Sequence, residues 1–200
     1  MSRDDPSQPE SRARGASPAP AGIAVVVACA GWRADLTDPR ALCREAVRAA
    51  LEGAGLGPLA ASVEIGVRLA DDAAVRRLNA RFRGRDAATN VLSFPLRDGS
   101  PGDLPAAPAD GAPLALGDVV LAYETVRAEA DAQGKPLADH LRHLTVHGVL
   151  HLAGYDHDND ADAAVMERIE TAVLADLGVS DPYAPTAPPP PGVRQPHGQA

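Results

Sequence analysis

Five of the six histidines in this 200-residue chain fall between His140 and His157, and their spacing dictates the backbone there. His147 and His151 are four apart. On an α-helix both rings leave the same face about one turn apart, which suits two imidazoles binding one ion. Gly154 follows, and glycine reaches positive φ without steric penalty, so the helix can end in a sharp turn. The turn brings His157 back to supply a third nitrogen. Three histidines with an open fourth position are the arrangement of a catalytic zinc rather than a closed structural one. A histidine-rich helix with solvated or core rings is the bland alternative; the His-x3-His-x5-His spacing with glycine at the bend weighs against it. His143 lies one turn before His147 on the same face. Three ligands along a straight helix would span about 12 Å at ~1.5 Å per residue. His143 and His140 therefore read as supporting or substrate-facing groups. Asp156 either orients a ligand or caps the following turn.

The same spacing matches the metzincin protease pattern H-E-x-x-H-x-x-G-x-x-H with one difference. Position 148 is glycine, where a metalloprotease needs its glutamate general base. Gly148 thus argues for a metal site without the protease chemistry.

A second cluster is basic. Arg76, Arg77, Arg81, Arg83 and Arg85 fall in ten residues with no acid among them. Arg76 and Arg77 read as a solvated helix face. Arg81, Arg83 and Arg85 lie at the helix end and in the loop after it, where a guanidinium can meet a phosphate in bidentate geometry. The chain as a whole carries a net charge of −8, so a protein that coats nucleic acid is excluded while a local basic patch is not.

Fifteen of the 19 prolines lie in residues 1–20, 101–113 and 182–196. Segments rich in Pro, Gly, Ser and Ala without periodicity cannot bury enough apolar surface to order themselves. We therefore expect tails at 1–21 and 184–200, a Pro/Gly-rich loop at 98–113, and one folded body over 22–183. No stretch approaches ~18 consecutive apolar residues, so no transmembrane helix is expected. The N-terminus lacks the apolar core of a secretory signal, so export is not expected either. Cys29 and Cys43 have no Cys-x-x-Cys spacing and read as buried small hydrophobes in a reducing compartment.

Within the body, Ile23–Ala28 reads as a Val-rich strand. Thr37 or Asp38 caps a helix with Pro39 at its first position, ended by Gly53 and Gly55. Val63, Ile65, Val67 and Leu69 alternate with polar or small residues, a half-buried strand. Asp71 and Asp72 cap a helix through Phe82, and strands follow at Asn90–Phe94 and Leu114–Ala122. Three helices complete the pattern: Tyr123 to Gly134, Pro136 to Gly154, and about Asp160 to Leu177 with Val165, Ile169, Ala172 and Val173 inward. This is an α+β fold, a small mixed sheet of about four strands packed with about five helices.

Leu78-Asn79, Arg81-Phe82-Arg83-Gly84-Arg85-Asp86, Thr89-Asn90-Val91-Leu92-Ser93-Phe94-Pro95, Leu116-Gly117-Asp118 and His147-Gly148-x-Leu150-His151-Leu152-x-Gly154-Tyr155-Asp156-His157 occur in this order. Together they closely resemble the YbeY endoribonucleases, the rRNA maturation factor family, over about residues 23–183. The resemblance implies a cytoplasmic, zinc-dependent, single-strand-specific endoribonuclease that acts in 16S rRNA 3′-end maturation and ribosome quality control. It implies a zinc on His147, His151 and His157 and a catalytic Arg83; the residues themselves add the expectation of one Zn2+ per chain and of substrate contacts from Arg81, Arg85 and His143. The implied partners are a single-stranded rRNA precursor and the small ribosomal subunit or its associated factors; neither DNA nor a membrane is expected. Two other readings are a metalloprotease, which Gly148 opposes, and an assembly factor with a purely structural zinc. A fourth protein ligand, Asp118 or Asp156, would favour the latter. Water and the RNA 2′-hydroxyl are both open as the nucleophile.

Overall fold

A computed structural model of the chain describes residues 22–97, 101 and 112–184. The expected tails, apart from Ala184, and most of the expected 98–113 loop lie outside the described residues. The elements run β1 (Gly22–Val27), α1 (Gly31–Asp35), α2 (Pro39–Gly53), β2 (Val63–Ala70), α3 (Asp72–Arg83), β3 (Val91–Pro95), β4 (Leu114–Ala122), α4 (Tyr123–Gln133), α5 (Leu137–Leu152) and α6 (Asp160–Asp176).

The strands form one mixed sheet in the order β1-β2-β4-β3. β2 pairs in parallel with β1 (Val25 opposite Val67) and with β4 (Val67 opposite Val119). β3 joins the far edge of β4 antiparallel, with Ser93 opposite Val119. A parallel pair needs a crossover rather than a hairpin, and α2 and α3 lie in those connections.

The alternation in β2 sends Val63, Ile65, Val67 and Leu69 into the main core, each almost wholly buried. That face is covered by α2 and α5, with α6 packed beyond them. The α2 contact is made by small side chains, Cys43, Ala46, Val47 and Ala50, all at 0% exposure. The alanine-rich sequence thus lets two helices approach closely. Each fully buried Val, Leu or Ile contributes roughly 1.5–3 kcal/mol. The opposite face carries a smaller core of Ala70, Leu92, Val120 and Ala122, closed by Val75 of α3. Cys43 lies where expected, its thiol pushed up to about 12 by burial.

The caps follow the sequence. Asp38 accepts from the Ala41 amide with Pro39 at the first position of α2, and Asp71 accepts from the Ala74 amide at the start of α3.

Three details differ from expectation. Among the described residues there are six helices rather than about five, because the one-turn α1 is too short to show a period. It carries Trp32, wholly buried, whose Nε1 donates to the Ala70 carbonyl at 3.1 Å. A further 3-10 turn spans Gly57–Leu59. Finally, α6 is rotated about its axis: Ala172 is exposed, while Met166, Glu170, Val173 and Leu174 are buried. No helix among the described residues is long and apolar enough to cross a membrane.

Candidate metal centre

The last turns of α5 and the loop after it build the centre. The helix ends as the amides of Gly154 and Tyr155 turn back onto the His151 and Leu150 carbonyls at 3.1 and 3.0 Å. Gly154 takes φ +88°, the left-handed conformation the sequence reserves for it. The chain then returns His157 to the ring pair. Its ring lies 5.7 Å from that of His147 and 5.0 Å from that of His151, centroid to centroid. One ligand atom from each of the three histidines lies within 4.8 Å of the others.

The outer nitrogens of the first two rings are tied down. His147 Nδ1 meets Glu170 Oε1 at 2.7 Å, and His151 Nδ1 meets the Tyr155 carbonyl at 3.0 Å. A carbonyl only accepts, so His151 Nδ1 carries the proton. Glu170 is wholly buried. Burial raises its carboxyl, but hydrogen bonds from His143, His147 and Tyr183 outweigh that and hold it down at about 2. Ionised, it too accepts only, so His147 donates through Nδ1. The two Nε2 atoms face one another at 3.1 Å, and with both rings neutral each presents a lone pair to the other. Two such lone pairs repel unless a proton or a metal ion lies between them. Two nitrogens ~2.0–2.1 Å from a tetrahedral ion are about 3.4 Å apart, so the spacing of this pair suits one small metal ion. Burial first, then the His147 and His157 rings, push His151 down to about 4, which keeps it in the neutral, ligating form.

Neither candidate fourth ligand joins the group. Asp118 lies on the other face of the sheet, beside Gly66. Asp156 Oδ1 accepts from the His157 amide at 2.8 Å and sits 3.9 Å from His151 Nδ1, beyond hydrogen-bond range. It caps the turn. Among the described residues the group holds three protein ligands and no fourth.

A cleft of about 730 Å³ opens on the centre, lined by His147, His151 and His157 together with Arg83, Arg85 and Arg97. Gly84 ends α3 in the left-handed conformation, at φ +68°, with its amide on the Asn79 carbonyl. Asn79 Nδ2 donates to the Ala87 carbonyl at 2.8 Å, and Arg76 grips Asp86 with two bonds. These contacts shape the loop that carries Arg85. Arg83 Nη2 donates to the Ser93 carbonyl at 3.4 Å, while the Ser93 hydroxyl donates to the Gly148 carbonyl at 3.2 Å. One residue of β3 therefore links the arginine loop to the histidine helix.

Gly148 explains that closeness. A Cβ there would stand 2.6 Å from Val119 Cγ1 and 3.2 Å from Ser93 Oγ. Position 148 faces the sheet, not the cleft.

Of the residues expected at the site, the structure brings His147, His151, His157, Arg83 and Arg85 into one cleft. It does not bring Arg81 there; that guanidinium sits over the Phe82 ring, 5.2 Å from its centroid. His143 lines a neighbouring small pocket with His140 and Lys135, its Nε2 3.5 Å from Glu170. Sequence reasoning missed Arg97, which lies apart from the dense arginine run, and Glu170, which nothing local marks as buried.

Fold and site define a small α+β protein with a three-histidine candidate metal centre at the base of an arginine-lined cleft. The chain matches the family model described as Endoribonuclease YbeY over residues 33–178. It is similar to proteins named Endoribonuclease YbeY from Paramagnetospirillum magneticum (52% identical, covering 80% of this chain and 94% of that protein) and Bradyrhizobium sp. (49%, covering 80% and 90%). A third, from Rhodopseudomonas palustris strain BisA53, is 47% identical and covers 82% and 91%. The chain belongs to the endoribonuclease YbeY family.

Proposed function

We propose that the protein is a zinc-dependent endoribonuclease of the cytoplasm, specific for single-stranded RNA. Its substrate is precursor rRNA at the 16S 3′ end, and its setting is the small ribosomal subunit and its associated factors, with a part in ribosome quality control. Family membership supports the reaction class. The observation that carries the reading is Arg83, tied through Ser93 to the helix bearing His147 and His151 and facing the same cleft as all three histidines.

His147, His151 and His157 would hold the ion. When bound, zinc lowers the pKa of a water and polarises a phosphoryl oxygen. Arg83 offers a permanently charged, planar donor to the oxygens of the scissile phosphate as charge builds on them. Arg85 and Arg97 pair with neighbouring phosphates and keep the strand in register. An unpaired strand can splay to enter such a cleft, which a rigid duplex cannot. The net charge of −8 limits contact with other nucleic acid.

The test compares cleavage of end-labelled single-stranded RNA, duplex RNA and single-stranded DNA by zinc-loaded and metal-stripped protein. Only single-stranded RNA with metal should be cut, and His147→Ala/His151→Ala should bind no zinc and cut nothing. Full zinc occupancy in that double variant, or equal cleavage after stripping, overturns the reading.

A further inference from the structure

We propose that Glu170 and Tyr183 act together as a positioning device that fixes His147 as a metal ligand, coupling the segment after α6 to the centre. The inference rests on the metal role proposed above for His147. Glu170 lies at 0% exposure on a helix face otherwise made of Met166, Val173 and Leu174. A buried carboxylate is costly unless it is fully bonded, and an apolar side chain would fill that place at less cost. What the carboxylate adds is its partners. Oε1 accepts from His147 Nδ1 at 2.7 Å. Oε2 accepts from the Tyr183 hydroxyl and lies 3.5 Å from His143 Nε2. With Oε2 so occupied, Oε1 is left for one imidazole. The bond fixes the His147 tautomer with Nε2 bare, and a carboxylate behind a ligating imidazole raises its basicity.

Tyr183 reaches Glu170 from outside the helix. Its own amide donates to Asp181 Oδ1 at 2.9 Å, and Lys135 Nζ donates to the Pro182 carbonyl at 3.3 Å. Its ring lies edge-on to His143, 6.0 Å between centroids. The side chain is 44% exposed, yet its hydroxyl enters a buried site. Core packing alone does not require that reach.

Full-length Glu170→Gln and Tyr183→Phe are compared with the parent by competition for zinc against a chelating indicator. His147 Nδ1–H is also followed by NMR in the zinc-loaded proteins. Glu170→Gln should weaken zinc binding roughly 10- to 100-fold. Tyr183→Phe keeps the carboxylate and the ring, and should weaken it roughly 3- to 10-fold, the worth of one hydrogen bond. In both variants the His147 Nδ1–H resonance should move upfield and exchange faster. Unchanged zinc affinity and an unchanged resonance in Tyr183→Phe overturn the proposal, even should Glu170→Gln fail to fold. A parent protein that binds no zinc, or His147→Ala that binds it as tightly, instead overturns the metal reading itself.

Discussion

Substituting Gly148 by alanine tests why α5 lies where it does. In a helix interior this change normally stabilises by about 1 kcal/mol, because alanine loses less backbone entropy. Here the new Cβ would stand 2.6 and 3.0 Å from the two methyls of Val119, a stiff β-branched side chain at 0% exposure on β4. Overpacking a well-filled core costs about 1–3 kcal/mol. The difference leaves Gly148→Ala about 1 kcal/mol less stable than the parent, and at most about 2. Val119→Ala alone should cost about 2 kcal/mol for the buried methyls and the space they leave. With those methyls gone the chief clash is gone, leaving the 3.2 Å approach to Ser93 Oγ against the helix gain. In the Val119→Ala background Gly148→Ala should therefore stabilise by up to about 1 kcal/mol, a reversal of sign with a coupling of about 2 kcal/mol. Urea denaturation of the four proteins, all held metal-free, reads these values from the midpoints. Two results refute the reasoning: Gly148→Ala more stable than the parent, or a Gly148→Ala effect that is the same in both backgrounds.

Arg83→Ala should slow cleavage roughly 30- to 1,000-fold, the ~2–4 kcal/mol of a lost transition-state donor, with zinc content and melting temperature little changed. Exposed Arg77 is the cleaner control, since Arg76 is engaged with Asp86; near-parent cleavage by Arg83→Ala would remove the residue from the chemistry. The pH dependence of the metal-free protein should carry a His151 signature. Its folded pKa of about 4 lies below the ordinary 6.5, so the unfolded chain takes up the proton first. Its contribution is complete above about pH 6.5 and fades toward pH 4. Melting curves of His151→Gln that are as steep across this interval as the parent's would contradict it. A 22–184 chain should keep the melting temperature and zinc affinity of the full chain, whereas ending at Ser180 should weaken zinc binding because Tyr183 is gone. Equal affinity in the two truncations would count against that boundary.

Much of this architecture is written locally. The β2 alternation, the Asp38-Pro39 and Asp71 caps, and the His147-His151-Gly154-His157 spacing each fix conformation within about a turn of chain, and the structure follows them. What escaped depends on residues far apart. Glu170 reads as one more acid on an acidic helix until His147, 23 positions earlier, and Tyr183, 13 positions later, are seen around it. Its burial also explains the rotation of α6 away from the face its aliphatic pattern suggests. Gly148 was legible as a missing general base, but its packing reason lay in Val119 on another strand. Arg97 joins the cleft only because β3 runs beside the histidine helix.

The three candidate ligands occupy eleven consecutive positions, His147 to His157, whereas Arg83 lies 64 residues upstream. Closing the short loop costs little chain entropy; closing the long one costs more and comes with the sheet. An ion can therefore be gathered by α5 and its turn while the sheet is still incomplete. Binding energy gained there is folding energy, and it favours the helix before β3 has docked. The arginine arrives only when β3 is seated between them through Ser93. On loop-closure grounds, the histidine turn would close early in assembly and the Arg83 side of the cleft late.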